Sequence, residues 1–171
     1  MIVILVGGFG FASLFLSDLC QLRRRRLPSL VLSGSGYGSV GAAFFLQVIS
    51  FRPTVPVGLL VLGAAAAGLF LLLLVYSVLI EIPLKAKAGR LITGGTYGLS
   101  RHPGLLWFIL LHLALNASYR DWNFLLISAV MILLDLLLVL AQDIYLFPRM
   151  FKEYAEYKRR VPFLIPRLRR S

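Results

Sequence analysis

Long runs of apolar residues alternate with short polar segments along most of the chain. A helix needs about 20 apolar residues to cross the ~30 Å hydrocarbon core of a bilayer, and five runs are candidates for such a span. They are residues 1–19, 30–51, 57–80, 105–117 and 122–147. The pattern predicts an all-α, polytopic membrane protein with about five transmembrane helices, followed by a C-terminal cytoplasmic amphipathic helix.

Asp135 interrupts the last apolar run near its middle. Because an unpaired carboxylate is costly in hydrocarbon, we expect this side chain to face the helix bundle and to find a partner there. The expected partners are His112, Asn116 and Gln47. A structural hydrogen bond is the preferred interpretation, and a proton relay is the alternative.

The composition agrees with a chain solvated mainly by lipid. Apolar residues make up 59% and charged residues 15% of the sequence, whereas soluble domains carry roughly 45–50% and 25%. The formal net charge is +11, but the sequence has no soluble basic face of the kind that binds nucleic acid. Nucleic acid is therefore not expected as a partner, and the single Cys20 excludes an internal disulfide.

The basic residues are distributed unevenly among the segments between the spans. With five spans, every Lys and Arg except Arg52 and Arg120 falls on one side. Since loops rich in Lys and Arg stay cytoplasmic, we expect the N-terminus outside and the C-terminus in the cytoplasm. A prokaryotic inner membrane is the favoured location, and the endoplasmic reticulum fits the same pattern.

Residues 33–38 read Ser-Gly-Ser-Gly-Tyr-Gly and contain a Gly-x-Gly-x-Gly string. Such a string binds a dinucleotide or a methyl donor only where it follows a strand of a parallel sheet. In an apolar helix, Gly34 and Gly38 are better explained as small residues that let a neighbouring helix approach closely. The small residues between Ala64 and Gly68 are interpreted in the same way.

The polar connection of residues 85–100 ends in Arg101-His102-Pro103, directly before the fourth apolar run. Proline suits the first turn of a helix because its missing N–H would have no partner there. The unpaired N–H groups and the positive end of the helix dipole favour anions. The segment therefore predicts an anion site, with anchoring of Arg101 and His102 at lipid headgroups as the alternative.

The last third of the chain adds an acid and a predicted amphipathic helix. Gln142 and Asp143 stand near the end of the fifth apolar run. Residues 147–160 show a helical spacing that predicts one interfacial helix. Its apolar face, expected in the lipid boundary, comprises Met150, Phe151, Tyr154 and Tyr157, and its polar face Lys152, Lys158 and Arg159.

Four separated elements resemble the signature of a known family. They are Gly95-Thr96-Tyr97, Arg101-His102-Pro103, the Gln-Asp-Ile-Tyr-Leu of residues 142–146, and residues 153–162. In order and spacing they look like the motifs of the isoprenylcysteine carboxyl methyltransferases, which the related membrane phospholipid methyltransferases share. The resemblance covers roughly Gly89 to Pro166, about the C-terminal half.

The resemblance implies an integral membrane methyltransferase that uses S-adenosyl-L-methionine and acts on a lipophilic or lipid-linked acceptor at the cytoplasmic membrane face. Arg101 and His102 suit the carboxylate of that cofactor, and Asp143 its ammonium or ribose hydroxyl groups. Pairing of Asp143 with Arg101 alone is the alternative. The implied cofactor-binding residues are Gly89, Arg90, Leu91, Ile92, Tyr97, Arg101, His102, Pro103, Gln142, Asp143 and Tyr154.

The chain is expected to form a single membrane domain over residues 1–171. Residues 1–84 would supply three spans, and residues 85–171 the cofactor-binding half with two spans and the C-terminal helix. Leu105 and Trp107 stand where the family carries a tyrosine and a glycine, and Gln142 replaces an acid. These departures motivate a second hypothesis, a non-catalytic membrane scaffold or ligand-binding protein. A nicotinamide-dependent membrane reductase is the third.

Overall fold

The computed structural model describes residues 1–82 and 91–166, and the regular structure within these ranges is helical. The helices are α1 (Ile2–Leu22), α2 (Arg26–Ser50), α3 (Val57–Val75), α4 (Thr96–Leu99), α5 (Pro103–Tyr119), α6 (Trp122–Ala141), α7 (Phe147–Met150) and α8 (Tyr154–Arg160). Helices α3 and α6 each continue into a π-helical turn, Tyr76–Glu81 after α3 and Gln142–Leu146 after α6. The predicted all-α class is confirmed for the described residues.

Four helices are long and apolar enough to cross a membrane. They are Ile2–Leu22, Arg26–Ser50, Val57–Glu81 and Trp122–Met150. Helix α5 is also apolar, but its 17 residues lie at the lower limit of about 17–25 residues for a spanning helix. A helical, multi-pass membrane protein is therefore confirmed at this level, and the fifth span stays a prediction.

The long helices pack as neighbours along the chain and across it. Helix α1 forms a hairpin with α2, α3 packs against α5, and α6 contacts both α1 and α5. Phe11, Phe108 and Met131 lie in the core where these helices meet, and each is at most 6% exposed. Because a bilayer gives little hydrophobic drive for association, close van der Waals packing at such contacts holds the bundle together.

The closest approach of α1 and α2 lies at Gly10 and Gly36. A Cβ at Gly10 would lie 3.0 Å from the backbone oxygen of Gly36 and from the backbone nitrogen of Val40. Around Gly34 and Gly38 a Cβ would meet no atom within 4 Å. The prediction that Gly34 and Gly38 form the packing face is wrong, because α2 is rotated so that Gly36 faces α1.

Only some of the small residues of α3 pack against a neighbouring helix. Ala67 is buried, as expected for a packing face. A Cβ at Gly68 would meet no atom within 4 Å, whereas a Cβ at Gly63 would overlap the side chain of Ser118 in α5. The contact with α5 therefore uses Gly63 and Ala67 rather than the whole stretch from Ala64 to Gly68.

Polar contacts tie the helices together at both ends of the bundle. At one end, Thr54 donates through N to Ser118 O at 3.2 Å and through Oγ1 to Tyr119 O at 2.8 Å. At the other end, Gln142 Nε2 donates to Asp18 Oδ2 at 2.8 Å. Arg52 and Arg120 belong to the first end. The second end, here called the basic end, carries Arg23 to Arg26, Arg101 and α8.

A buried polar group joins α2, α5 and α6 in the middle of the bundle. Gln47 Nε2 donates to Ser128 Oγ at 2.9 Å, and His112 Nδ1 lies 3.1 Å from the same oxygen. Asn116 donates to the backbone oxygen of His112. The three residues expected to bind Asp135 are therefore engaged elsewhere, and the predicted pairing of Asp135 with them is wrong.

The C-terminal segment does not form one helix over residues 147–160. Helix α7 ends at Met150, Phe151 is extended with φ −126° and ψ 115°, and α8 begins at Tyr154. Tyr154 and Tyr157, predicted to face lipid, are only 1% and 5% exposed. The prediction is wrong because both hydroxyl groups reach hydrogen-bond acceptors inside the protein, as buried tyrosines usually do.

The close approach at Gly10 predicts a selective loss of stability. We expect Gly10→Ala to lower the free energy of unfolding by about 1–3 kcal/mol, because the new methyl group forces the two backbones apart. Gly34→Ala is the matched control and should leave stability unchanged or raise it slightly, since nothing lies near its Cβ. Melting temperatures of the two detergent-solubilised variants check this, and equal losses would contradict the observed rotation of α2.

Candidate functional site

The carboxylate of Asp143 lies at the basic end and is the centre of a buried cluster of charged and polar groups. Asp143 is 3% exposed. Tyr154 Oη donates to Oδ1 at 2.6 Å, and Lys158 Nζ donates to Oδ2 at 2.6 Å. Arg101 Nη1 and His102 Nε2 lie 3.2 Å and 3.3 Å from Oδ1. One acid thus faces four hydrogen-bond donors.

The start of α5 places two of these donors. Pro103 occupies the first turn of the helix and His102 is its N-cap residue, as the sequence predicts. The backbone N of Arg101 donates to Pro162 O at 2.9 Å, and Ser100 Oγ donates to Phe163 O at 3.2 Å. The segment that follows α8 therefore packs directly on the entry to α5.

Aromatic rings cover the histidine and the arginine of the cluster. The His102 ring stacks on Phe147 with ring centres 6.0 Å apart, and it contacts Phe163 at 5.1 Å. The guanidinium of Arg101 lies 5.7 Å from the centre of the Phe163 ring. These rings exclude water from one side of the charges, which strengthens their electrostatic interactions.

The cluster carries more positive than negative charge. Burial lowers the pKa of His102 to about 4, so this ring is neutral near pH 7. Its Nε2 then carries the proton that Asp143 accepts, which leaves Nδ1 with a free lone pair. Arg101 and Lys158 contribute two positive charges against the one negative charge of Asp143. The cluster therefore has a net charge of one positive unit.

Arg101 has unused hydrogen-bond donors. The residue is 8% exposed, yet its Nε and Nη1 donate to no acceptor in the described part of the chain. The close approach of Nη1 to Asp143 is an ion pair without an aligned N–H bond. Because buried donors are nearly always hydrogen-bonded in native proteins, the two unpaired nitrogens of Arg101 are an exception within the described residues.

Three tyrosines connect the cluster to the end of α3. Tyr157 Oη donates to Tyr97 O at 2.6 Å, and Tyr97 Oη donates to Ser77 O at 3.3 Å. Burial raises the pKa of Tyr97, Tyr154 and Tyr157 above the usual value, so all three remain protonated donors. Buried Glu81 accepts from Thr96 N at 3.2 Å. These bonds position α4 beside the basic end.

A cavity of about 1230 Å³ opens at the basic end and runs between the long helices. Its outer part is polar and includes Asp18, Arg101 and His102. Its inner part is apolar, with Phe11, Phe44, Phe108 and Leu111 in the wall. The predicted site residues that line it are Leu91, Ile92, Tyr97, Arg101, His102, Pro103, Gln142 and Tyr154.

Three other predicted site residues are Gly89, Arg90 and Asp143. Gly89 and Arg90 lie outside the described residues. Asp143 stands behind the wall, where it holds Arg101, His102 and Tyr154. The structure shows the pairing of Asp143 with Arg101, together with its contacts to the other three groups, and cofactor binding by Asp143 stays a prediction.

Two residues of this region were not predicted to belong to it. Lys158 was assigned to the water-facing side of a helix, but its Nζ reaches Asp143. It follows Tyr154 by one helical turn, a spacing that places both side chains on the same face, and this spacing is the signal in the sequence. Phe163 covers Arg101 and His102, and no local pattern indicates that role.

The chain has no match among protein-family models, curated proteins or solved structures. The resemblance of its four motifs to the methyltransferases stays a prediction. Within the described ranges, no group of three His, Cys, Asp or Glu side chains is placed to hold a metal ion. The geometry shows a buried guanidinium with unpaired nitrogens in the described part of the chain, beside a large cavity with an apolar interior.

The burial of Asp143 predicts a large effect of its neutralisation. Asp143→Asn leaves the charges of Arg101 and Lys158 uncompensated, so we expect a loss of about 3–5 kcal/mol in the free energy of unfolding. Glu156→Gln is the control, because Glu156 pairs with Arg160 on the exposed face of α8 and such pairs contribute only about 0.3–0.5 kcal/mol. Thermal denaturation in detergent measures both. A loss in Asp143→Asn no larger than in the control would contradict the structure.

The depressed pKa of His102 predicts a pH-dependent stability. The unfolded chain binds a proton at this histidine below pH 6.5, whereas the folded protein binds it only near pH 4. The contribution of His102 to the free energy of unfolding is therefore fully present above pH 6.5. It falls as the pH decreases towards 4, by roughly 3 kcal/mol at about 1.4 kcal/mol per pKa unit. His102→Gln should remove this part of the pH dependence in melting experiments between pH 4 and 8. Identical pH profiles of wild type and variant would contradict the assignment.

Proposed function

We propose that the protein is an S-adenosyl-L-methionine-dependent methyltransferase that acts on a lipophilic or lipid-linked acceptor at the cytoplasmic face of a membrane. The observation that carries the proposal is the buried Arg101. Its Nε and Nη1 have no acceptor in the described part of the chain, and the residue lines a cavity that is charged at the basic end and apolar deeper in the bundle. That combination suits a polar, carboxylate-bearing cofactor and an apolar second ligand.

The lining residues fit the chemical groups of this cofactor. Arg101 offers charged donors to the methionyl carboxylate, and charge-assisted bonds of this kind are the strong ones. Asp18 and Gln142 line the same outer part of the cavity, and their oxygens can accept hydrogen bonds from an ammonium group or from ribose hydroxyls. Asp143 supports the site from behind by holding Arg101 and His102.

The volume of the cavity supports two ligands rather than one. Pockets for a single small molecule measure about 300–1,000 Å³, and this cavity is larger at about 1230 Å³. Its polar outer part and apolar inner part belong to one continuous space. A cofactor in the outer part and an acceptor in the inner part would therefore meet inside the protein.

When bound, the cofactor supplies an electrophilic methyl group. The residues of this chain contribute mainly orientation, because a displacement reaction needs the reacting atoms held about 3–3.5 Å apart. Phe147 and Phe163 cover the charged cluster and keep water from it. Where the acceptor must lose a proton, the neutral His102 has an available Nδ1 lone pair beside the cavity, which makes it our candidate base.

The proposed topology has five spans, with α5 as the fourth. The basic end then faces the cytoplasm, since it gathers Arg23 to Arg26, Arg101 and α8, whereas Arg52 and Arg120 lie at the opposite end. The N-terminus is outside and the C-terminus is cytoplasmic. A prokaryotic inner membrane is the proposed location, and the same topology suits the endoplasmic reticulum.

One observation favours a second candidate function, a membrane protein that binds the ligand without transferring a methyl group. Leu105 is 2% exposed and lines the cavity, so it supplies no hydroxyl where the resembling family has a tyrosine. The next two experiments separate the two functions, because the first measures cofactor binding and the second measures methyl transfer.

Cofactor binding is tested by titrating detergent-solubilised protein with S-adenosylhomocysteine in a calorimeter. We expect saturable binding, weakened by roughly ten- to a hundredfold in Arg101→Ala, since a hydrogen bond to a charged group contributes about 1.5–3 kcal/mol. Arg159→Ala removes an equal charge from the exposed face of α8 and should bind like wild type. Absence of binding to folded wild type would overturn the proposal.

Methyl transfer is tested by incubating the protein with cofactor carrying a labelled methyl group and with total membrane lipids. The label is expected in the organic phase, and its transfer should fall with cofactor affinity in Arg101→Ala. Cofactor binding without transfer to any lipid fraction would favour the non-catalytic alternative. Restoring a tyrosine by Leu105→Tyr would then be expected to produce transfer.

A further inference from the structure

Asp135 lines the inner part of the large cavity. Among the described residues, its carboxylate takes part in no hydrogen bond and no ion pair. Ser128 precedes Asp135 by seven residues on α6, about 10 Å along the axis, and it binds Gln47 and His112. Tyr37 of α2 also lines the cavity, but no hydrogen bond joins it to Asp135 in the described part of the chain. Asp135 is thus a carboxylate in a largely apolar part of the cavity, and among the described residues it has no hydrogen-bond or ion-pair partner.

The basic residues of the cavity lie far from Asp135. Asp135 precedes Asp143 by eight residues on the same helix, which corresponds to about 12 Å along the axis. Among the described residues, the cations that line the cavity are Arg24, Arg26, Arg101 and Arg149. Arg24 and Arg26 flank the α1–α2 turn, Arg101 precedes α5, and Arg149 lies in α7, so all four belong to the basic end.

The walls around the inner part are apolar and aromatic. Phe11 comes from α1, Phe44 from α2, and Phe108 and Leu111 from α5. An ionised carboxylate among such groups is costly unless an opposite charge or several donors compensate it. A cationic ligand with an apolar body satisfies both the carboxylate and the walls.

We propose that Asp135 is the binding site for the ammonium group of a lipophilic amine that fills the apolar part of the cavity. The amine pairs with the carboxylate, and its hydrocarbon body packs against Phe11, Phe44 and Phe108. This assignment goes beyond the proposed function and does not depend on methyl transfer. It rests on the cavity and on charge complementarity alone.

The carboxylate of Asp135 and its position deep in the cavity exclude two other classes of ligand. A fatty acid would place a second carboxylate beside Asp135, and like charges repel strongly in a low dielectric. A phospholipid amine carries a phosphate next to its ammonium group, so its headgroup would have to enter the apolar part of the cavity together with a second charge. A simple long-chain amine meets neither obstacle.

The test uses the full chain in phosphatidylcholine nanodiscs and a photoreactive twelve-carbon primary amine. We expect saturable crosslinking to the helices that line the cavity. Dodecylamine should compete at least tenfold better than dodecanol or dodecanoate, and added phosphatidylethanolamine should not compete. Equal competition by dodecanol, or competition by phosphatidylethanolamine, would overturn the proposal without any need for a variant.

Asp135→Asn tests the residue itself. Crosslinking affinity should fall at least tenfold, whereas Glu156→Gln, which removes an equal charge from the exposed face of α8, should leave it unchanged. The melting temperature of ligand-free Asp135→Asn should not fall, because the carboxylate has no partner to lose within the described structure. Unchanged crosslinking in the folded variant would overturn the proposal. A large drop in stability would assign Asp135 a structural role and would overturn it as well.

The result is independent of the cofactor experiment. Amine binding that depends on Asp135, in a protein that does not bind S-adenosylhomocysteine, would support this site and refute the methyltransferase. Cofactor binding in a protein that does not bind the amine would support the methyltransferase and refute this site.

Discussion

The carboxylate of Asp143 is the interaction on which the basic end depends. It binds groups from two segments that are far apart in sequence, Arg101 and His102 before α5, and Tyr154 and Lys158 in α8. Without it, the buried guanidinium of Arg101 would lose its ion pair, which is a strongly unfavourable arrangement. The acid therefore fixes the position of α8, and through α8 it fixes the wall of the cavity.

The charge that remains after this pairing gives the cavity its polarity. Two cations and one acid leave a positive excess at the outer part, next to the unused N–H groups of Arg101. The inner part holds the carboxyl group of Asp135 among aromatic walls. One space thus presents a cationic end and an acidic group, separated by about two turns of helix, and it can orient a ligand or a pair of ligands along its length.

Local features of the sequence predicted the helices and the start of α5, because apolar run length and the Pro103 position act through neighbouring residues. The rotation of each helix was not predictable in the same way. Gly36 rather than Gly34 faces α1, and Tyr154 points inward rather than to lipid. These faces depend on contacts with other helices, and around Asp143 they also depend on the π-helical turn, which no spacing rule for α-helices includes.

The π-helical turn at Gln142–Leu146 makes the structure sensitive to the deletion of a single codon. Such a turn equals one extra residue inserted in an α-helix, and one residue rotates everything after it by about 100°. A deletion of a single codon in this turn would restore a regular helix and swing Phe147 and all that follows away from α5. A change of length between Ala141 and Phe147 therefore displaces every later residue, including Tyr154 and Lys158, whereas a substitution there alters a single side chain.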